Sequence, residues 1–350
     1  MPNKYDIAVI GGGPAGATFA RELARTYPGK IVLIDAKPRT GEKVCGGLLA
    51  PDAQKAVAQF DLSLPKDVLA DPQIFDVKTV DLVSGSVRHY QRHYLNMDRG
   101  AFDEWLISLI PEHVTVMRGR CTEIVACEEG YRITLADGQE LSTRYLVGAD
   151  GGSSIVRRKF FRKPKKLYVA IQEHFADTGA EIANYACVFD PVTSESCSWS
   201  IRKNGRIIFG GAFAQAGCRE AFEKQKERFA AFLGQSLGTP VKTEACLLTS
   251  VQSSRDFALG KDGVFLIGEA AGFVSASSFE GISSAFLSGK YLADAFVQGN
   301  ESGKILKIYR RKTKKLRFKL LGKVLKMRIL FSPFLRKLIM QSGVRSIAKY

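Results

Sequence analysis

A chain of 350 residues with 45% hydrophobic and 25% charged side chains has ordinary globular composition, which argues against wholesale disorder and allows two interlocked domains. No stretch reaches the roughly 18 uninterrupted apolar residues of a spanning helix, and the first residues lack the basic and apolar regions of a signal peptide, so a cytoplasmic start is expected. The net charge of +16 is local: sixteen Lys and Arg follow from Lys304 with no Asp or Glu, and the other 35 basic residues are matched by 35 acidic ones.

In chain order, Tyr5 to Ile10 is a short apolar strand, Gly11 to Gly16 a glycine turn and Ala17 to Arg25 a helix. Ile31 to Ile34 is a second buried strand ending at Asp35. A Gly-rich loop with one cysteine covers 41–51, and an alternating, strand-like pattern covers 74–96. Arg99 to Leu109 reads as an amphipathic helix with Phe102, Leu106 and Leu109 on one face. Short strands follow at Val114 to Val116, Cys121 to Cys127 and Tyr131 to Leu135, with a turn at Asp137-Gly138. Leu146 to Ala149 is another buried strand, closed by Asp150-Gly151-Gly152. Residues 167–213 are again strand-like, Ala221 to Leu233 is helical, and a strand at Val264 to Gly268 leads through a loop to a long helix ending at Phe296. Residues 304–349 interleave cations with Leu, Ile, Phe and Val and read as basic amphipathic helices broken near Ser332-Pro333.

The chemistry begins at Gly11-x-Gly13-x-x-Gly16. Between a strand and a helix, the first glycine permits the tight turn, the second lets backbone approach a pyrophosphate and the third lets helix pack on strand. Pro14 and Ala15 lie inside this turn, at a helix N-terminus whose free N–H groups favour anions. Asp35, nineteen residues after Gly16 and followed by Ala36, is placed to accept hydrogen bonds from a ribose. The seven cysteines are scattered with no C-x-x-C pair, so neither a disulfide framework nor a zinc site is expected. His89 and His93 have i, i+4 spacing, but in a strand-like stretch; no metal is expected.

Further segments resemble flavoproteins of the p-hydroxybenzoate hydroxylase type. Gly148-Ala149-Asp150-Gly151-Gly152 with Val156-Arg157 resembles that group's second fingerprint, and Asp98-Arg99 opens a helix where the group has an arginine near the cofactor phosphates. Gly268-Glu269-Ala270-Ala271-Gly272 resembles its third motif, with Glu269 in place of the usual Asp at the ribityl chain. Within the group the chain is most similar to the geranylgeranyl reductases. Lys43-Val44-Cys45-Gly46-Gly47 resembles their Cys-Gly-Gly loop beside the flavin. Glu280-Gly281-Ile282 with Ser288-Gly289 resembles their Gly-Glu-Gly-Ile segment and its helix, and Cys197-Ser198-Trp199-Ser200-Ile201 resembles their cavity-lining Tyr-x-Trp-x-Phe-Pro stretch, with Cys197 and Arg202 replacing Tyr and Pro.

The resemblance implies an α/β fold: a Rossmann-type FAD-binding domain of the glutathione reductase and p-hydroxybenzoate hydroxylase kind, a β-rich substrate domain and a basic helical C-terminal tail. The expected boundaries are 1–73, 97–165 and 250–300 for the FAD domain, 74–96 and 166–249 for the substrate domain, and 301–350 for the tail. FAD would be held by Gly11, Gly13, Pro14, Ala15, Gly16, Asp35, Ala36, Cys45, Gly46, Arg99, Cys121 (at the strand where relatives contact adenine), Asp150, Gly268, Glu269, Gly281 and Ile282. Cys45 would be catalytic or shape the pocket, and Trp199 and Gly47 would meet substrate. The implied reaction is hydride transfer from reduced flavin to a carbon–carbon double bond of an isoprenoid lipid. Electrons would come from transiently bound NAD(P)H, from reduced flavin or from a ferredoxin-like donor, because no second dinucleotide fingerprint is present. The alternatives are a flavin monooxygenase or halogenase acting on an aromatic or polyketide substrate, and a flavin-retaining lipid-binding protein with little turnover. The basic tail suggests an anionic membrane surface as partner, with the protein peripheral to the inner face of the membrane; no specific nucleic acid is implied.

Overall fold

The computed structural model describes residues 3–36, 44–179 and 182–349; Lys43 and the start of the Gly-rich loop lie outside them. The chain divides into two units. Unit 1 comprises Met1–Glu42, Gly100–Lys166 and Thr249–Gly322, and unit 2 comprises Lys43–Arg99, Leu167–Leu248 and Lys323–Tyr350.

In unit 1, β1 (Asn3–Ile10), α1 (Pro14–Ala24) and β2 (Ile31–Asp35) open the fold as expected. After α3 (Arg99–Ser108) come β6 (Thr115–Arg118), β7 (Cys121–Cys127), β8 (Gly130–Leu135), β9 (Glu140–Gly148) and α4 (Ile155–Phe160). The last elements are β15 (Gly260–Lys261), β16 (Val264–Leu266), α6 (Ile282–Gln298) and α7 (Ser302–Lys312). The sheet runs β15-β16-β9-β1-β2-β6, with β7 and β8 attached beside β9. β16, β9, β1, β2 and β6 pair in parallel, and β2 is buried along its whole length, as a doubly covered parallel sheet requires.

Helices α1 and α6 approach closely because Gly289 has no side chain; a Cβ there would stand 2.6 Å from the Ala15 carbonyl oxygen. Phe296 on α6 meets Phe19, Tyr145 and Phe265 edge-on, with centroids 5.7, 5.3 and 5.3 Å away. In α3, Phe102 and Leu106 are buried as expected, but the helix stops at Ser108 and Ile110, not Leu109, completes the buried set. Of the basic segment, α7 is a core helix: Ile305 and Tyr309 are buried, and the Tyr309 hydroxyl donates to the Leu266 carbonyl at 3.0 Å.

Unit 2 holds β3 (Leu48–Leu49), α2 (Pro51–Gln59), β4 (Ile74–Asp81) and β5 (Val87–Asn96). It continues with β10 (Lys166–Ala176), β11 (Tyr185–Phe189), β12 (Cys197–Lys203), β13 (Arg206–Phe213), α5 (Cys218–Leu233) and β14 (Lys242–Ser250). The strand order is β14-β10-β13-β12-β11-β4-β5-β3. Residues 43–73, expected with the FAD domain, fall here for a local reason: β3 pairs with β5, and the Gln54 amide donates to the Leu49 and His93 carbonyls at 2.9 and 3.0 Å. α5 covers one face of the sheet with Phe222 and Phe229 against Phe175, Phe209 and Phe213, and Phe209 and Phe229 stack at 5.0 Å.

The rest of the basic segment is α8 (Lys314–Phe331) and α9 (Pro333–Ser342), broken at Ser332, whose hydroxyl caps α9. The expectation of one-sided amphipathic helices fails for α8, where apolar residues lie on both sides: Leu316, Leu320, Val324 and Met327 are buried, while Phe318 and Leu325 are 79% and 63% exposed. On α9, Arg336 is buried, donates to Asp81 at 2.6 Å and lies 4.7 Å from the Phe189 ring centre.

Burial alone would raise the Asp81 carboxyl, but the Ser84 and Val83 N–H groups and Arg336 outweigh it and hold the carboxyl below its ordinary value. Its contribution to stability is therefore full above the ordinary carboxylate range and is lost as pH falls through the depressed value. Asp81→Asn is expected to lower stability by about 3 kcal/mol near neutrality, the usual cost of stranding one member of a buried pair, and to flatten the acid side of the stability curve. Urea titrations of both proteins at several pH values measure it; equal midpoints at neutral pH would contradict it.

Candidate active site

The nucleotide cradle belongs to unit 1. Gly11 turns with φ of 110°, and a Cβ there would stand 2.5 Å from the Ala149 carbonyl oxygen. A Cβ on Gly16 would land on the Gly11 carbonyl oxygen, whereas one on Gly13 would meet nothing within 4 Å. The turn is thus packed tight at its first and third glycines and open at its second, where a pyrophosphate would approach the backbone. Pro14 is the first residue of α1 and Ala15 its second. The Gly12 N–H donates to Asp35 Oδ1 at 3.1 Å, and Arg118 donates to Asp35 Oδ2 at 2.7 Å and to Glu104. Asp35 is buried and Ala36 exposed. Arg118, at the end of β6, gave no signal in the sequence; only the pairing of β6 with β2 brings it to Asp35.

The second fingerprint is built around two charged side chains. Asp150 accepts from the Ser154 hydroxyl at 2.5 Å and from the Ile155 N–H at 2.7 Å, so its carboxylate caps α4; burial raises its carboxyl above the ordinary value despite these bonds. Arg157 donates to the Ala270 carbonyl at 2.9 Å and the Asp256 carbonyl at 2.6 Å, which ties the second fingerprint to the third. In that third motif, Gly268 has φ of 58° and a Cβ there would press on the Ala15 methyl. Its N–H donates to Ser288 at 2.9 Å. The longer Glu269 side chain turns onto the Thr249 N–H at 3.0 Å. Gly281 is the cap residue of α6 and Ile282 its first residue. Cys121 opens β7, and its buried thiol is raised to about 11 by burial and the Asp150 carboxylate.

Unit 2 holds Cys45, Gly46, Gly47, Arg99 and Trp199. A Cβ on Gly46 would stand 2.5 Å from Ile201 Cδ1 and 4.0 Å from Trp199 Cδ1, so the loop lies flat on the face of β12. Lys203, which sequence reasoning passed over, donates to the Gly46, Gly47 and Met97 carbonyls at 2.8, 3.1 and 2.6 Å. Burial alone would raise the Cys45 thiol, but Arg99, the Gly47 N–H at 3.4 Å and Lys203 together bring it below its ordinary value. Arg99 is thus beside the thiol in this unit. His89 pairs with Asp76 at 2.9 Å.

A model of the pyridine nucleotide-disulphide oxidoreductase family matches residues 5–157. Protein CbrA of Escherichia coli O6:H1 is 46% identical over 98% of this chain and 94% of that protein, and Protein CbrA of Shigella sonnei is 45% identical over 98% of each. The chain belongs to the CbrA family. Among solved structures, a geranylgeranyl bacteriochlorophyll reductase-like protein from Thermoplasma acidophilum has a TM-score of 0.80 at 17% identity, covering 97% of this chain and 91% of that one. A probable FAD-dependent monooxygenase from Pseudomonas aeruginosa has a TM-score of 0.69 at 18% identity, covering 98% and 100%. At such identities the likeness speaks for the fold. This CbrA-family fold is that of the FAD-dependent oxidoreductases, a Rossmann-type FAD-binding domain with a β-rich domain, and FAD is the cofactor its glycine cradle fits.

The lowered thiol has a direct readout. Alkylation of Cys45 by iodoacetamide is expected to reach half its maximal rate at a pH below about 8.5, the free-thiol value. Lys203→Met is expected to move that point upward, and Cys45→Ser to remove the phase. A titration unmoved by Lys203→Met would show that the cation does not reach the thiol.

Proposed function

We propose that this CbrA-family protein reduces carbon–carbon double bonds of an isoprenoid lipid. The carrying observation is the Cys45-Gly46-Gly47 loop, which lies on the apolar face of Trp199 and Ile201 with a thiol made more acidic by Arg99 and Lys203. Reduced FAD, when bound, supplies the hydride. Alkene reduction also needs a proton at the second carbon, and a thiol of lowered pKa beside an apolar surface is suited to give it. Trp199, half-buried beside the core residue Ile201, offers the flat apolar ring against which a prenyl chain packs. Arg99 and Lys203 stabilise the thiolate left behind, and either NAD(P)H or a ferredoxin-like donor restores the electrons. The monooxygenase reading keeps its place because the fold is shared with an FAD-dependent monooxygenase.

Photoreduced holoprotein mixed anaerobically with a geranylgeranyl lipid is expected to reoxidise as the lipid gains one H2 per double bond, with Cys45→Ser slowed by roughly 10²-fold or more, as for loss of a general acid. Flavin that stays reduced until oxygen is admitted would reject the reductase reading and favour the monooxygenase.

The tail supports a peripheral position on anionic membrane. None of the described helices is long and apolar enough to cross one. Leu325, Phe334, Leu335 and Leu338 are 63%, 70%, 39% and 48% exposed, in a segment with sixteen cations and no anion. Apolar side chains that enter the headgroup region beside cations are the signature of an interfacial helix, and each cation contributes on the order of 1 kcal/mol at an anionic surface. Flotation with phosphatidylglycerol vesicles but not phosphatidylcholine vesicles is expected, with Phe334→Ser and Leu338→Ser together reducing it at least tenfold, by the area they bury. Equal retention of that variant would assign the charge to another polyanion.

A further inference from the structure

The sheet face of unit 2 opposite α5 carries two lateral rows. One runs His174, Ile208, Ile201 across β10, β13 and β12; the next runs Gln172, Gly210, Trp199 across the same strands. The Cys45 loop lies on this face. Most of it is apolar, but on β10 and β14 it carries a buried polar group. Glu244 accepts from Gln172 Nε2 at 2.9 Å, from His174 Nε2 at 3.0 Å and from Lys242 at 2.6 Å. Burial would raise the Glu244 carboxyl, but Lys242, Gln172 and His174 together hold it below its ordinary value, so it stays anionic at neutral pH.

That arrangement fixes the Gln172 amide. Its NH2 points to Glu244 and its Oε1 points away, buried and without a partner among the described residues. Gln172 is 1% exposed. Two strands over, the Trp199 Nε1–H is likewise buried and unpartnered. Between them stands Gly210, where a Cβ would lie 2.6 Å from Gln172 Cβ and 2.8 Å from Trp199 Nε1, so both side chains lean over the same bare backbone. One unmet acceptor and one unmet donor thus belong to the two side chains that flank Gly210. A buried polar group left unpaired is costly, so a folded protein retains such a pair where something completes it.

We propose that Gln172 and Trp199 form a hydroxyl-recognition site, in which a substrate alcohol accepts from Trp199 Nε1–H and donates to Gln172 Oε1. A hydroxyl is the simple group that does both at one atom. A ketone or ether oxygen accepts but leaves Gln172 unmet, and an ammonium donates but leaves Trp199 unmet. A diphosphate would bring two or more negative charges beside Glu244, so a prenyl alcohol fits better than a prenyl diphosphate. This site rests on the reading that the Trp199 face receives the substrate.

The chain has two tryptophans, Trp105 and Trp199, so indole 15N labelling of the holoprotein gives two side-chain N–H signals, and Trp199→Phe assigns them. Two matched pairs serve as probes: geranylgeraniol with its methyl ether, and 1-dodecanol with dodecyl methyl ether. Both alcohols are expected to move the Trp199 signal to lower field and to bind about tenfold more tightly than their ethers, the value of one hydrogen bond to a buried partner. Gln172→Leu is expected to abolish the preference, and Trp199→Phe, which keeps an aromatic ring but removes the N–H, to do the same when binding is followed by flavin absorbance. Equal binding of alcohol and ether by the wild type overturns the proposal. So does a Trp199 signal that no alcohol moves, which would mean that a buried water completes the pair. Alcohol preference with no lipid reduction leaves the hydroxyl site standing and removes the isoprenoid reading; reduction with no alcohol preference removes the site alone.

Discussion

Three backbone segments meet at the start of α1 with no side chain between them. The Gly11 backbone lies against the Ala149 carbonyl, Gly16 against the Gly11 carbonyl, and Gly289 of α6 against the Ala15 carbonyl. Each contact leaves no room for a Cβ, and together they bring β1, β9, α1 and α6 closer than side-chain packing would allow. Arg157 adds the third motif to the same knot by bonding the Ala270 carbonyl. The cradle therefore exists only once residues far apart in the chain have packed, and the open space over Gly13 is what that packing leaves.

In unit 2 the corresponding fastening is ionic. Lys203 gathers three carbonyls of the Cys45 loop and of Met97. Glu173 is fully buried on the α5 face and paired with Arg219 and Lys226 at 2.8 and 2.6 Å. Glu244 plays the matching part on the other face. A buried charge without its partner is strongly destabilising, so loss of one member of the Glu173 or Glu244 groups would leave the other stranded.

Much of this was legible in the sequence because the signals are local. Apolar runs at Ile7 to Ile10 and Ile31 to Ile34 name the parallel strands, and the glycine turn with Asp35 names the cradle. What escaped had weak or inverted signals. α2 buries only Ala53, Ala56 and Val57, too little apolar volume to stand out. β14 turns Glu244 inward, so its alternation runs against the hydrophobic rule. Arg336 sits in a run of cations that reads as a solvated face, yet its burial is decided by Asp81, 255 residues away. Arg118 and Lys203 likewise matter through partners that only the fold supplies.

Tyr309 gives the basic segment a meaning that charge alone would hide. Its ring is fully enclosed, burial raises its hydroxyl well above the ordinary value, and the hydroxyl is spent on the Leu266 carbonyl at the end of β16, two residues before Gly268. The region that carries the excess charge is thus, at its first helix, part of the interior on which the cofactor motif rests. Such a segment cannot behave as a detachable module: it could not be trimmed or grafted onto another protein without uncovering the strand beneath. Within α7, charge and core are carried by alternate sides of one helix, so drift in this stretch is constrained from inside the protein as well as from its surface.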